Sequence, residues 1–168
     1  DSELLIVAIG VRPRVELARG SGIQVDRGIV VNDEMMTNVP GIFAAGDCTQ
    51  MRDFVHGDNR VLAIWPAAYI GGMIAGCNMA GCKASTRWFT SMNSMNIFGR
   101  SVLSAGIVNP GDGDGWSELE SEADGSYQKI VTQDDVIKGF VLVGGNARAG
   151  LYLQMMRNGT AVKRFNSE

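Results

Sequence analysis

One short stretch of this chain carries residue types able to hold a polar ligand with many hydroxyls. Ile42-Phe43-Ala44-Ala45 reads as a strand that ends at Gly46 and is followed at once by Asp47. A glycine in that place lets a ligand approach the backbone, and a carboxylate offers acceptor oxygens, so the pair suits a polyhydroxyl chain. Taken alone, Asp47 could equally cap the next element after a tight glycine turn. Trp65-Pro66-Ala67 opens a long apolar run. Proline fits the first turn of a helix, where its missing N–H is not needed, and the remaining free N–H groups there favour negative charge. The plainer alternative is that Trp65 is a buried aromatic at a helix start. Gly10, after the apolar run at 4–9, either lies near a ligand or simply ends a strand.

The other reactive side chains form no recognisable constellation. Cys48, Cys77 and Cys82 make an odd set without a CxxC pair, which fits a reducing cytoplasm better than a disulfide scaffold. Cys77 and Cys82 stand five apart near the end of a probable helix, and the single histidine, His56, is remote from them. A zinc site needs more ligands than this, so no metal site is expected. Cys48 is expected to be a small packed residue and His56 a loop residue without a visible partner. No residue is assigned a catalytic role.

The elements that must position these groups follow from pattern. The run at 4–9 suits a strand covered on both faces, residues 14–19 a short helix, and 28–31 a brief strand before the turn cluster at 37–41. From 61 to 82 there is no charged residue, but Pro66, Gly71, Gly72, Gly76, Asn78 and Gly81 interrupt the run. Small residues on this scale predict a buried helix packed closely on its neighbours rather than a membrane span. Beyond Lys83, residues 92–104 read as strands, and 127–132 with 136–143 flank Gln133-Asp134-Asp135 as a hairpin. Leu151, Met155 and Met156 stand at helical spacing in the tail and read as core.

At 168 residues the chain can bury a sizeable core in one domain or two small ones. A net charge of -3, with no basic stripe, argues against a nucleic-acid partner. The start, Asp1-Ser2-Glu3 running straight into apolar residues without an initiator Met, is expected to lie inside a fold.

The stretch from Thr37 to Asp47 resembles the second FAD-binding motif of the pyridine nucleotide-disulfide oxidoreductase superfamily. In that family the aspartate bonds a ribityl hydroxyl of FAD, a role the resemblance gives to Asp47. Leu5-Ile6-Val7-Ala8-Ile9-Gly10-Val11-Arg12-Pro13 resembles the segment returning from the NAD(P)H domain to the FAD domain, with Ile9 in place of the usual Thr. Trp65-Pro66-Ala67-Ala68-Tyr69-Ile70-Gly71-Gly72 resembles the helix start that approaches the flavin pyrimidine ring. Asn96-Ile97-Phe98-Gly99, Ser104-Ala105-Gly106 and the stretch 136–144 resemble the C-terminal domain of rubredoxin reductases, NADH oxidases, coenzyme A disulfide reductases and nitrite reductase flavoproteins.

The resemblance implies an α/β fold: residues 1–85 as the C-terminal segment of a partial FAD-binding, Rossmann-like domain, then a small α+β, interface-like domain over 86–168. It implies FAD and NAD(P)H as the parent enzyme's cofactor and co-substrate, with Gly10, Gly46, Asp47, Trp65, Pro66 and Ala67 at the flavin. Electrons would pass to a small redox protein, a disulfide or oxygen. The family's glycine-rich pyrophosphate loops are absent from this sequence, so the chain by itself is expected to be inactive, without FAD and self-associated. The competing reading is a protein-interaction or subunit-assembly module. The change in character near Lys83 predicts that limited proteolysis cuts first between about residues 82 and 91, given ordinary boundary uncertainty. First cuts elsewhere, mapped by mass spectrometry, would contradict a division there.

Overall fold

The computed structural model describes residues 2–145 and 148–162. Two compact units emerge: Asp1–Met51 with Asn59–Thr86, and Arg52–Asp58 with Arg87–Glu168. The first unit holds β1 (Ile29–Val30), β2 (Thr49–Arg52), β3 (Asn59–Val61) and α1 (Trp65–Met79). β2 lies between β1 and β3, and β1 runs parallel to it with Ile29 opposite Thr49. Gly28 allows this pairing, because a Cβ there would stand 2.9 Å from the Cys48 carbonyl oxygen. The buried Gln50 ties the sheet together: its Oε1 accepts from the N–H groups of Arg27 and Gly28, and its Nε2 donates to Asp26 Oδ2 and the Asn59 carbonyl.

α1 has no charged residue and buries Ala67, Gly71, Ile74 and Ala75, one face at helical spacing. Among the described residues no helix is long and apolar enough to cross a membrane. The helix expected from 61 to 82 is present from Trp65 to Met79, but it is buried on one face only, with Tyr69, Met73 and Met79 exposed, which corrects the expectation of a buried helix.

Three expected elements of this unit are not formed. Residues 4–9 are exposed and form no strand, with no pairing among the described residues; an apolar run becomes a strand only where a neighbour accepts its backbone hydrogen bonds. Residues 14–19 make turns, with Ala18 and Arg19 N–H both donating to the Val15 carbonyl. Pro13 precedes that segment, and Gly20 and Gly22 at positive φ follow it; so short a helix has little to offset nucleation. The expected strand at 42–45 reduces to one antiparallel bridge, Met36 with Phe43. It follows a tight turn in which Ile42 N–H donates to the Val39 carbonyl, Pro40 and Gly41 (φ +80°) supplying the central residues.

The second unit is a five-stranded antiparallel sheet with one helix. β4 (Met92–Ile97), β5 (Arg100–Gly106), β6 (Trp116–Ala123), β7 (Ser126–Gln133) and β8 (Val136–Val143) stand in the order β4-β5-β8-β7-β6. Three of its connections are two-residue turns with both residues at positive φ: Phe98-Gly99, Asp124-Gly125 and Asp134-Asp135. That handedness matches the twist of the paired strands. The hairpin expected around Gln133-Asp134-Asp135 is thus β7–β8. β6, whose sequence WSELESEA carries three glutamates, has no counterpart in the pattern reading. Lys129 on β7 explains its place: Nζ lies 2.7 Å from Glu118 Oε2 and 3.9 Å from Glu120 Oε1.

α2 (Ala149–Asn158) packs on this sheet, and Gly159 at φ +61° ends it. Phe140, Ile137, Leu142, Tyr152, Met155 and Met156 form the core, with Phe54 and Val55 of the 52–58 segment against it. The tail methionines are core as expected, whereas Leu151 is exposed. Gly106 on β5 faces Gly139 on β8. A Cβ at Gly139 would collide with the Ile107 carbonyl, which is backbone and cannot yield. Gly139→Ala should therefore destabilise the protein by about 1–3 kcal/mol or more, the usual cost of overpacking. Urea unfolding of the variant checks this, and an unchanged midpoint would contradict the packing described.

Candidate cofactor-binding site

Gly46 and Asp47 follow the Phe43 bridge, and local bonds fix how they leave it. Gly46 stands at φ +93°, and its carbonyl accepts from both the N–H (3.0 Å) and Oγ1 (2.7 Å) of Thr49 as β2 begins. Asp47 is exposed, so its carboxylate faces outward at the crest of this turn. Cys48 is half-buried, its Sγ 3.6 Å from the Ala45 carbonyl, as expected of a packed residue.

Ala45 rests on α1. A Cβ at Gly71 would stand 3.7 Å from Ala45 Cβ and 3.3 Å from Cε of Met35, which is itself fully buried. Glycine at 71 thus sets how closely the helix approaches the segment that delivers Asp47. The first turn of α1 is uncapped: Ile64 at the N-cap makes no side-chain bond, no acidic residue lies in that turn, and Pro66 contributes no N–H. Ala68 N–H already donates to the Ile64 carbonyl, leaving the N–H groups of Trp65 and Ala67 outside the helical ladder. Trp65 is 75% exposed and stacks on Tyr69, with centroids 5.2 Å apart and planes 12° from parallel. This contradicts the reading of Trp65 as a buried aromatic. Pro66 is half-buried and Ala67 buried.

Gly10 lies apart from this pair of features. At φ +78° it lines an open cleft of about 700 Å³ with Arg12, Arg19, Arg27, Asp26, Val61 and others. Three guanidinium groups against one carboxylate make that cleft suited to an anionic group. Neither Asp47 nor the first turn of α1 lines it.

Among the described residues no group of three or more His, Cys, Asp or Glu could hold a metal ion. His56, for which the sequence offers no partner, has one in Asp53. Asp53 is fully buried within the second unit; its Oδ1 accepts from Thr90 Oγ1 (2.8 Å) and from the N–H groups of Val55 (2.9 Å) and His56 (3.2 Å). His56 Nδ1 lies 3.0 Å from Asp53 Oδ2. The only signal in the sequence is an aspartate three residues before the histidine. This cluster shapes a loop: Gly57 N–H donates to the Asp53 carbonyl and Asp53 N–H to that of Asp58.

The described residues thus comprise an α/β unit with an exposed carboxylate at Asp47 and an uncapped helix start, and a small α+β sheet unit. Residues 1–72 match the pyridine nucleotide-disulphide oxidoreductase family and residues 92–160 match the rubredoxin NAD+ reductase C-terminal domain. The chain is 30% identical to a nitrite reductase [NAD(P)H] of Bacillus subtilis over 94% of this chain and 19% of that protein. It is 31% identical to the epsilon subunit of an NADH-dependent phenylglyoxylate dehydrogenase of Aromatoleum evansii over 99% of this chain and 40% of the relative. The crystal structure of a FAD-dependent pyridine nucleotide-disulphide oxidoreductase from Desulfovibrio vulgaris superposes with a TM-score of 0.82 at 25% identity, covering 100% of this chain and 45% of that one. NADH:rubredoxin oxidoreductase from Clostridium acetobutylicum shares the fold, with a TM-score of 0.70 at 22% identity over 92% of this chain and 39% of that one. The chain thus spans less than half the length of these relatives.

Two substitutions at Gly71 separate contact from helix propensity. Alanine meets Ala45 at ordinary contact distance and presses only on the flexible end of the Met35 side chain, while gaining up to about 1 kcal/mol of helix propensity, so Gly71→Ala should be close to neutral. Gly71→Leu must push α1 away from Ala45 and should cost about 1–3 kcal/mol. Chemical unfolding of both variants tests this, and equal midpoints would refute the close approach.

Proposed function

We propose that this chain supplies part of the flavin site of an FAD-dependent NAD(P)H oxidoreductase, residues 1–85 serving the cofactor domain and 86–168 the interface-like domain. The observation that supports the reading is the contact of Ala45, two residues before the exposed Asp47, with Gly71 of α1, a helix whose first turn keeps free N–H groups. FAD, when bound, accepts a hydride from NAD(P)H and hands electrons on. The protein's part is binding and charge stabilisation. The carboxylate of Asp47 accepts a hydrogen bond from a ribityl hydroxyl, and Gly46 keeps the approach clear. The N–H groups of Trp65 and Ala67, at the positive end of α1, stabilise negative charge on the ring system. Gly10, in an open cleft lined by neither Asp47 nor the first turn of α1, is included on the family match over residues 1–72 alone.

The acceptor class we infer is a small redox protein, a disulfide or oxygen. Support for the first comes from the relatives: the matched proteins include a nitric oxide reductase FlRd-NAD(+) reductase of Aeromonas hydrophila, 54% identical over 50 residues. Self-association is supported by β4, an edge strand that is exposed throughout and carries no charge, the kind of edge that pairs with another chain.

In a chain long enough to retain the flavin, Asp47→Ala should remove a charged hydrogen bond and weaken FAD binding by about 1.5–3 kcal/mol, roughly ten- to a hundredfold. Flavin absorbance after gel filtration reads this directly, and unchanged retention would rule Asp47 out. The 168-residue chain should itself be colourless and associated at micromolar concentration; stoichiometric flavin bands or a strictly monomeric mass by light scattering would contradict the reading.

A further inference from the structure

Two cysteines at the end of α1 lie outside the site described above and are brought together by the way the helix stops. Cys82 N–H donates to the Cys77 carbonyl (2.9 Å) and Gly81 N–H to the Asn78 carbonyl (3.0 Å), with Gly81 at φ +84°. In a helix ending of this kind the first and last residues of the six turn their side chains toward one another and commonly touch. Those residues here are Cys77 and Cys82. Covalent geometry sets a ceiling on their separation: with Cα–O and N–Cα spans of about 2.4 and 1.5 Å around that hydrogen bond, the two Cα atoms lie no more than about 6.8 Å apart, within disulfide range.

The side chain of Asn78 holds the turn in place. Its Nδ2 donates to the carbonyls of Glu34 (2.8 Å) and Ala84 (2.9 Å), and its Oδ1 accepts from the Ala84 N–H (2.9 Å). The chain beyond Cys82 is therefore fastened back onto the helix end. Both cysteines are exposed, free thiols.

We propose that Cys77 and Cys82 form a redox-active dithiol that exchanges with low-molecular-weight disulfides. One cysteine thiolate attacks a sulfur of the small disulfide; that S–S bond breaks, and the departing half takes up a proton as a free thiol. The second cysteine thiolate attacks the protein sulfur of the mixed disulfide, closes the Cys77–Cys82 bond and expels the other half, which is protonated in turn. Two protein thiols are oxidised and one small disulfide is reduced to two thiols, so two electrons and two protons pass to the small molecule. The couple depends on the ending of α1 and the Asn78 bonds that fasten it, and stands whether or not the flavin reading does.

The test is oxidised glutathione on the protein, then alkylation and tryptic mass mapping. Cleavage after Arg60 and Lys83 leaves both cysteines on one peptide and Cys48 on another. The expected wild-type peptide is lighter by two hydrogen atoms and lost to alkylation at both sites, while Cys77→Ser and Cys82→Ser each hold one glutathione on the cysteine that remains. Gly81→Asn, which tolerates positive φ, keeps the internal bond; Gly81→Val, which does not, slows its closure about tenfold. Glutathione on both wild-type cysteines, bonds between chains, no reaction, or equal closure rates in the two Gly81 variants would each overturn the proposal.

Discussion

The place of Asp47 depends on a side chain that is not there. At Gly71 the surface of α1 is bare backbone, and Met35 and Ala45 fill the space a larger residue would take. Met35 adopts φ +63°, an uncommon conformation for a residue with a Cβ, and is fully buried under the helix. Burying such a side chain recovers about 1.5–3 kcal/mol, enough to offset a left-handed backbone. From that contact follow the direction of the Ala45-Gly46-Asp47 segment and the start of β2, which Gln50 locks to Gly28 and Asn59.

What the sequence made legible tracks how local the deciding interactions are. The Asp134-Asp135 hairpin and the α1 helix are specified by residues close in the chain: turn residues that accept positive φ, and a proline-started apolar run. The run at 4–9 has the composition of a strand, yet a strand exists only by its neighbours, and composition says nothing of whether they are there. At 42–45 the turn chemistry of Pro40-Gly41 was readable, but not that the segment would pair with 35–37 through a single bridge and leave it once the Ala44 N–H has donated to the Met35 carbonyl. β6 has no counterpart in the sequence reading, since its three glutamates leave little apolar pattern; Lys129 on the next strand pairs with two of them. In the candidate site, Asp47 and the helix start could be named from residue types in sequence. Their packing relation, and the exposed stack of Trp65 on Tyr69, could not.

The two edges of the five-stranded sheet are guarded differently. β6 presents Glu118, Glu120 and Glu122 at alternating positions, and two copies brought together there would set like charges in register. β4 has no such defence. Lys129 draws the first two glutamates onto the neighbouring strand, and its hydrogen bond with Glu118 holds its amine above the ordinary lysine range. The charge on that edge therefore serves both its own sheet and its separation from others.

The loop at 52–58 carries a consequence for how such proteins can be recombined. It lies ahead of α1 in the chain, yet Phe54 and Val55 pack on the core of the second unit, and Asp53 binds Thr90 there. An exchange of C-terminal halves made by a crossover near residue 86 would carry away the sheet and leave its plug behind. The inherited sheet would need a foreign loop to supply the same apolar pair and a carboxylate for Thr90. Shuffling between relatives is thereby constrained to partners whose loops match, although the loop and the sheet are separated by the whole of α1.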